Sequence, residues 1–284
     1  MKKVIISLLK FKLTWFILNL FYKFFYRFKF EKDLIEIERQ RLNDKIKEDK
    51  LKFLFKDLTV LNGPFKGMKY PDFNSHGSAL FPKLLGSYES ELHADLEIIL
   101  KCEYDVVIDI GCAEGYYAVG IAMRMPKAQI YAYDLNEEAI KACREMSELN
   151  NVQDRINLDS FCNDKTLATF NFGKRGLIIS DCEGYEISLF TPESVANLVN
   201  CDVLIELHDL YNEKISLEIE RVFEKSHHIK KVYSESTFKR LLNFKEASLL
   251  SNDEINQFMR ERNGIMAWAL LTPKITQKLQ NLYV

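Results

Sequence analysis

From Tyr104 onward the apolar positions fall into short blocks that alternate between two periods. DVVIDIG (105–111), QIYAYD (129–134), RINLDSF (155–161), LIISD (177–181) and DVLIELHD (202–209) are β-branched or aromatic runs of strand length. Between them YYAVGIAMRM (116–125) and NEEAIKACREMSELN (136–150) carry helical spacing, and a further helix is predicted around residues 194–199. Strands separated by helices imply right-handed crossovers, hence an α/β fold with a doubly wound, mostly parallel sheet and helices on both faces. Two last runs, IKKVYSES (229–236) and IMAWALLTP (265–273), predict an antiparallel pair at one edge.

Ahead of this domain, placed at 101–284, the pattern differs. Residues 31–58 alternate charge with Leu34, Ile37, Leu42, Ile46 and Leu51, the spacing of an exposed connecting helix. Gly63-Pro64, Gly67 and Pro71 then mark turns, and Ser90 to Leu100 returns to helical spacing, so 31–100 reads as a helical and loop extension covering the ligand site. Residues 1–30 hold seven Lys/Arg, no acid and ten aromatics. Their longest uncharged run, Leu13 to Tyr22, has ten residues, against the roughly 20 that cross a bilayer. This composition favours a helix lying in the headgroup zone of an anionic membrane, with Trp15, Tyr22 and Tyr26 at the interface. A helix packed on the body or on a second subunit, and a signal anchor tolerating Lys10 and Lys12, stay open.

The charged N-terminus also hides an asymmetry. Without it the chain has 32 basic against 41 acidic residues, a net of −9 beneath the overall −2, which argues against nucleic acid as a partner. Six cysteines with no C-x-x-C pair argue against structural zinc and for reduced thiols in the cytoplasm, peripheral on the inner face of a membrane if residues 1–30 bind one. Oligomeric state is not legible.

The chemistry gathers at strand ends. The first strand of the domain ends in Asp109-Ile110-Gly111-Cys112-Ala113-Glu114-Gly115, and a helix follows at once. Glycines there let a ligand approach the backbone and a helix N-terminus. A dinucleotide site needs G-x-G-x-x-G, and Ala113 stands where its second glycine would be, so a dinucleotide enzyme is disfavoured. The D-x-G-x-x-x-G form is that of S-adenosylmethionine (SAM) enzymes. The second strand ends at Asp134, 19 residues beyond Gly115, where a carboxylate can take both hydroxyls of a ribose. After the third strand, Asn163-Asp164 could meet an adenine amino group.

With these residues in place, the chain resembles class I SAM-dependent methyltransferases, and more narrowly the FkbM family. SDCEGYE (180–186) is similar to that family's D-x-E-G-x-E segment at the end of the fourth strand; VVIDIGCAEGYY (106–117), LIELHD (204–209) and GSYESEL (86–92) support the match. The resemblance runs over residues 86–273. It implies a Rossmann-like domain that holds SAM through Glu89, Asp109, Gly111, Ala113, Gly115, Tyr116, Asp134, Leu135, Asn163 and Asp164. It further implies O-methylation of a hydroxyl on a small-molecule or glycan acceptor, such as a lipid-linked sugar or secondary metabolite. The family's loop often reads G-A-N-x-G, and Cys112-Ala113-Glu114 departs from that pattern at the methionine end of SAM. The alternative is a methyltransferase-like binding or scaffold protein without turnover; intact Asp109, Asp134 and Asp181 favour the enzyme.

A sugar hydroxyl must lose its proton as it attacks, and a positioned base contributes about 10²- to 10⁴-fold. If the strand LIIS stays extended, period 2 puts Asp181 and Glu183 on one face and Cys182 on the other; Glu206 and His208 share a face in the same way. Asp181 is expected to face the acceptor, with Glu183 and His208 competing as base and Glu206 beside them. The structural alternatives are that Glu183 and Glu186 cap the next helix and that His208 is satisfied by Asp209. A divalent metal on these groups is possible but not favoured, since histidine is a poor Mg²⁺ ligand and the acids have other duties, so no metal ligand is assigned.

Overall fold

The computed structural model describes residues 2–73, 75, 78–262 and 264–274, and divides into two compact units, 1–54 and 55–284. The first is one helix, α1 (Lys2–Leu54). No glycine or proline precedes Gly63, so nothing interrupts 53 residues of helix, about 80 Å at 1.5 Å per residue. The predicted boundary between 1–30 and the connecting helix is therefore not a break in structure. Ion pairs one turn apart, Arg41 to Glu38 at 3.3 Å and Arg39 to Glu36 at 3.8 Å, line its exposed part. No helix among the described residues is long and apolar enough to cross a membrane. The side chains of Trp15 and Tyr22 lie outside the described residues, while Tyr26 is exposed.

The second unit opens with α2 (Leu80–Leu85) and α3 (His93–Ile99) and continues as alternating strands and helices. In chain order these are β1 (Val106–Ile110), α4 (Tyr116–Arg124), β2 (Gln129–Tyr133), α5 (Glu137–Leu149), β3 (Ile156–Asp159), α6 (Asp164–Thr169) and β4 (Gly176–Ser180). They are followed by α7 (Glu186–Leu189), α8 (Pro192–Ala196), β5 (Cys201–Leu207), α9 (Ile215–Phe223), β6 (His227–Tyr233), α10 (Thr237–Leu241), α11 (Asn252–Phe258) and β7 (Ala267–Pro273). The seven strands form one sheet in the order β3-β2-β1-β4-β5-β7-β6. Strands β1 to β5 pair in parallel, and β7 runs antiparallel to both β5 and β6. The expected antiparallel pair is present, with β7 inserted between β5 and β6. Every residue of β1, β4 and β5 is buried, as strands covered by helices on both faces require.

The strand order reverses direction between β1 and β4, and the crevice beyond their carboxyl ends is where open α/β sheets bind ligands. Two features hold that crevice. Asp181 N–H donates to the Ile110 carbonyl at 2.9 Å, tying the two strand ends together. Gly111, at φ +81°, crosses so close to β4 that a Cβ there would stand 1.7 Å from the Asp181 carbonyl oxygen.

Candidate active site

A cavity of about 510 Å³ lies at this crevice. Gly111, Ala113, Tyr116, Asp134 and Leu135 of the expected cofactor residues line it, as do Asp181 and Glu183 of the expected catalytic ones. The loop between β1 and α4 is a left-handed turn, with Gly111, Ala113 and Gly115 all at positive φ. Asp134 organises it: Ala113 N–H donates to Asp134 Oδ2 at 2.9 Å, and Asn136 N–H donates to Oδ1 at 2.8 Å. Each carboxylate oxygen keeps a further lone pair for a hydroxyl from the cavity. Leu135 is exposed at the rim, and Phe161 and Tyr185, with ring centroids 5.8 Å apart, add flat apolar surface. A carboxylate with lone pairs to spare, bare loop backbone and aromatic walls form a donor and acceptor set that fits a nucleoside.

The other expected cofactor residues sit away from the cavity wall. Asp109 is buried beneath the loop; burial raises its pKa to about 7, and Oδ2 accepts no hydrogen bond. Gly115 faces α5, where a Cβ would meet Cys143 Sγ at 2.7 Å, so its glycine serves packing. Asn163 caps α6, its side-chain oxygen accepting from Thr166 N–H at 2.9 Å and Thr166 Oγ1–H at 3.0 Å, and Asp164 opens that helix. Glu89 is fully buried and binds Tyr117 and Arg262. Glu114, the acid that departs from the family loop, is also buried, where it pairs with Lys83, whose side chain lines the cavity.

The acids after β4 arrive differently from the expectation. The strand ends at Ser180, and Glu183 at φ +52° with Gly184 at φ +101° turns the chain back at once. Period-2 alternation therefore does not operate: Asp181, Cys182 and Glu183 all line the cavity because a tight turn, not an extended strand, presents them. The turn also carries Glu186 inward. Its Oε1 lies 2.6 Å from His208 Nδ1 and accepts Gly184 N–H at 3.2 Å. His208 thus bonds Glu186 and not Asp209, which instead accepts from Ser216 N–H at 2.8 Å and from the Ser216 hydroxyl.

On its other side, His208 Nε2 faces Asp181 Oδ1 at 3.4 Å, Glu183 Oε2 at 3.5 Å and Glu206 Oε2 at 3.7 Å. The four expected catalytic groups are therefore in one cluster. Arg262, from the loop before β7, reaches Glu206 Oε1 at 2.9 Å and Glu91 Oε1 at 3.3 Å. Burial lowers the His208 pKa, but the hydrogen bond to Glu186 and the Asp181 charge outweigh it, so the net direction is up. Burial raises both Asp181 and Glu206; the Asp181 charge pushes Glu206 further up, while a hydrogen bond with Glu206 holds Asp181 back. Sequence reasoning weighed Glu186 only as a helix cap and gave no place to Arg262, which no motif marks.

The loop, the acid after β2 and the strand-end cluster therefore meet at one crevice. Residues 103–246 match the model of the family described as "Methyltransferase domain". The chain belongs to this methyltransferase family. SAM is accordingly its cofactor. No curated protein matches the sequence. Among solved structures, precorrin 8W decarboxylase from Methanobacterium thermoautotrophicum is 14% identical, covering 63% of this chain and 87% of its own at a TM-score of 0.44. Precorrin-6y C5,15-methyltransferase from Geobacter metallireducens is 14% identical over 63% and 86%, at 0.44. The ribosomal protein L11 methylase from Lactobacillus delbrueckii is 17% identical over 65% and 77%, at 0.41.

Proposed function

We propose that this methyltransferase is an O-methyltransferase of the FkbM type, acting on a hydroxyl of a glycan, lipid-linked sugar or secondary metabolite. The observation that carries the reading is the position of Asp181. Its side chain lies on the cavity wall shared with Asp134 and Gly111, and also 3.4 Å from His208 Nε2. SAM supplies a methyl group on a sulfonium; the acceptor oxygen gives up its proton and forms the C–O bond as the C–S bond breaks, leaving S-adenosylhomocysteine.

The chain's own groups have to orient the hydroxyl and take that proton. Asp181 accepts the hydroxyl from the cavity side. Glu183, with a side chain 66% exposed on the same wall, is reachable by the acceptor, whereas His208 is 4% exposed behind Asp181. This arrangement supports Glu183 as the group that takes the proton, with His208 held by Glu186 behind Asp181. Asp181→Asn keeps the shape and removes the charge. It should lower kcat by at least about 10²-fold while the SAM dissociation constant, measured by calorimetry, stays within about twofold. Normal turnover by Asp181→Asn would remove the residue from the reaction, and no turnover by the parent on any acceptor would favour the scaffold reading.

We also propose that residues 1–30 hold the protein on an anionic membrane surface on the cytoplasmic side. Seven cations and ten aromatics on one uninterrupted helix support this.

A further inference from the structure

We propose that Asp181, Glu206 and His208 form a divalent transition-metal site on the wall of the cofactor cavity. One ligand atom from each lies within 4.8 Å of the others. The argument begins at His208, whose side chain is 4% exposed. Its Nδ1 lies 2.6 Å from Oε1 of a fully buried Glu186, and a carboxylate there accepts, so Nδ1 carries the proton. That contact fixes the ring and leaves Nε2 aimed at three carboxylates, the arrangement by which proteins orient a metal-binding imidazole.

The spacing on the Nε2 side is wrong for hydrogen bonds and right for ligands. A charged N–H donating to a carboxylate closes to about 2.7–2.9 Å. Here the gaps to Asp181, Glu183 and Glu206 are 3.4, 3.5 and 3.7 Å, and the buried Asp181 Oδ1 accepts no hydrogen bond at all. Donors each about 2.1 Å from one ion stand about 3 to 4 Å apart around it. The remaining oxygen of Glu206 is held by Arg262 at 2.9 Å, which turns Oε2 inward.

Charge points the same way. Six carboxylates, Glu89, Glu91, Asp181, Glu183, Glu186 and Glu206, surround one guanidinium and one imidazole. One nitrogen and two oxygen ligands suit Mn²⁺, Fe²⁺ or Zn²⁺ better than Mg²⁺, because imidazole is a softer donor than water or carboxylate. Tyr211 stacks on the His208 ring at 5.6 Å and 13°, covering one face of the imidazole. Asp181 and Glu183 line the cavity, so an ion held by Asp181 would border the space open to an acceptor. A role for the ion in holding the acceptor hydroxyl rests on the O-methyltransferase reading; the site itself does not.

The test is Mn²⁺ binding to the full-length chain without SAM or acceptor, followed by electron paramagnetic resonance. The free-ion signal should disappear up to one ion per chain, and the spin echo of the bound ion should carry imidazole ¹⁴N modulation. Glu186→Gln should weaken binding by about 10- to 100-fold, and Asp181→Asn, at a partly exposed position, should weaken it in a chain that remains folded by circular dichroism. No saturable binding, or a bound ion without nitrogen modulation, overturns the site. Binding with ¹⁴N modulation and no methyl transfer keeps the site and removes the O-methyl reading. Methyl transfer that survives exhaustive chelation, in a chain that takes up no Mn²⁺, does the reverse.

Discussion

Gly111 shows how closely the site is built. A side chain at φ +81° is strained by about 1–3 kcal/mol, and its Cβ would strike the Asp181 carbonyl at 1.7 Å. Gly111→Ala should therefore lower the melting temperature by more than about 5 °C and displace Asp181, reducing SAM binding and turnover together. An alanine variant with parental melting and activity would show that β1 and β4 do not meet as described. Asp134→Ala removes the acceptor of Ala113 N–H and the ribose partner at once. SAM binding should weaken by about 1.5–3 kcal/mol, the range for hydrogen bonds to a charged group, as read by calorimetry. At this scale Asp134 and Asp181 follow apolar strand runs and line the cavity, where the fold class itself puts ligands, whereas Asp109 lies within β1 and is buried beneath the loop. Arg262 was not legible, because its loop follows 50 residues without a motif and only tertiary packing carries it to Glu206.

Elements were legible wherever the pattern was local. The βα repeats from β1 to β5 announce themselves by period, whereas the sequence reading divides α1 at residue 30 although no glycine or proline stands in the first 62 residues. The condition that the strand stays extended past LIIS is not met, and nothing in SDCEGY except Gly184 signals that Glu183 adopts φ +52°. The insertion of β7 between β5 and β6 was likewise invisible, because partner choice is decided by contacts across the whole chain. One consequence belongs to the far edge. His227 at the start of β6 is buried, its Nε2–H donating to the Cys201 carbonyl at 3.0 Å while Nδ1 accepts from the Ser226 hydroxyl at 2.8 Å. Burial lowers its pKa below the ordinary 6.5 despite the Cys201 bond. The unfolded chain then takes up a proton near pH 6.5 that the folded chain refuses until lower pH, so stability is present above 6.5 and falls as the pH drops through the folded value. His227→Gln should flatten that loss, by up to about 1.4 kcal/mol per pH unit, in urea melts between pH 7 and 5. An unchanged slope would assign the acid sensitivity to other groups.

At the scale of the whole molecule, the cofactor cavity belongs to the second unit and surface binding is proposed for the first. A chain beginning at Glu31 should keep parental SAM affinity, since every residue lining the cavity lies beyond Leu54. The full chain should sediment with anionic vesicles at low salt and be partly released at high salt, and the shortened chain should not sediment. A full chain that ignores such vesicles would return residues 1–30 to packing on the body or on a second subunit.

The central claim is methyl transfer from SAM to a hydroxyl, and the most direct measurement follows the methyl group. Full-length protein is incubated with methyl-tritiated SAM and an extract of lipid-linked glycans, with Asp181→Asn in parallel, and the label is tracked through mild alkali. Label is expected in the glycan fraction and survives alkali, as a methyl ether does, with at least about 10²-fold less in the variant. Label that alkali releases, label confined to protein or RNA, or equal label from Asp181→Asn would contradict the claim.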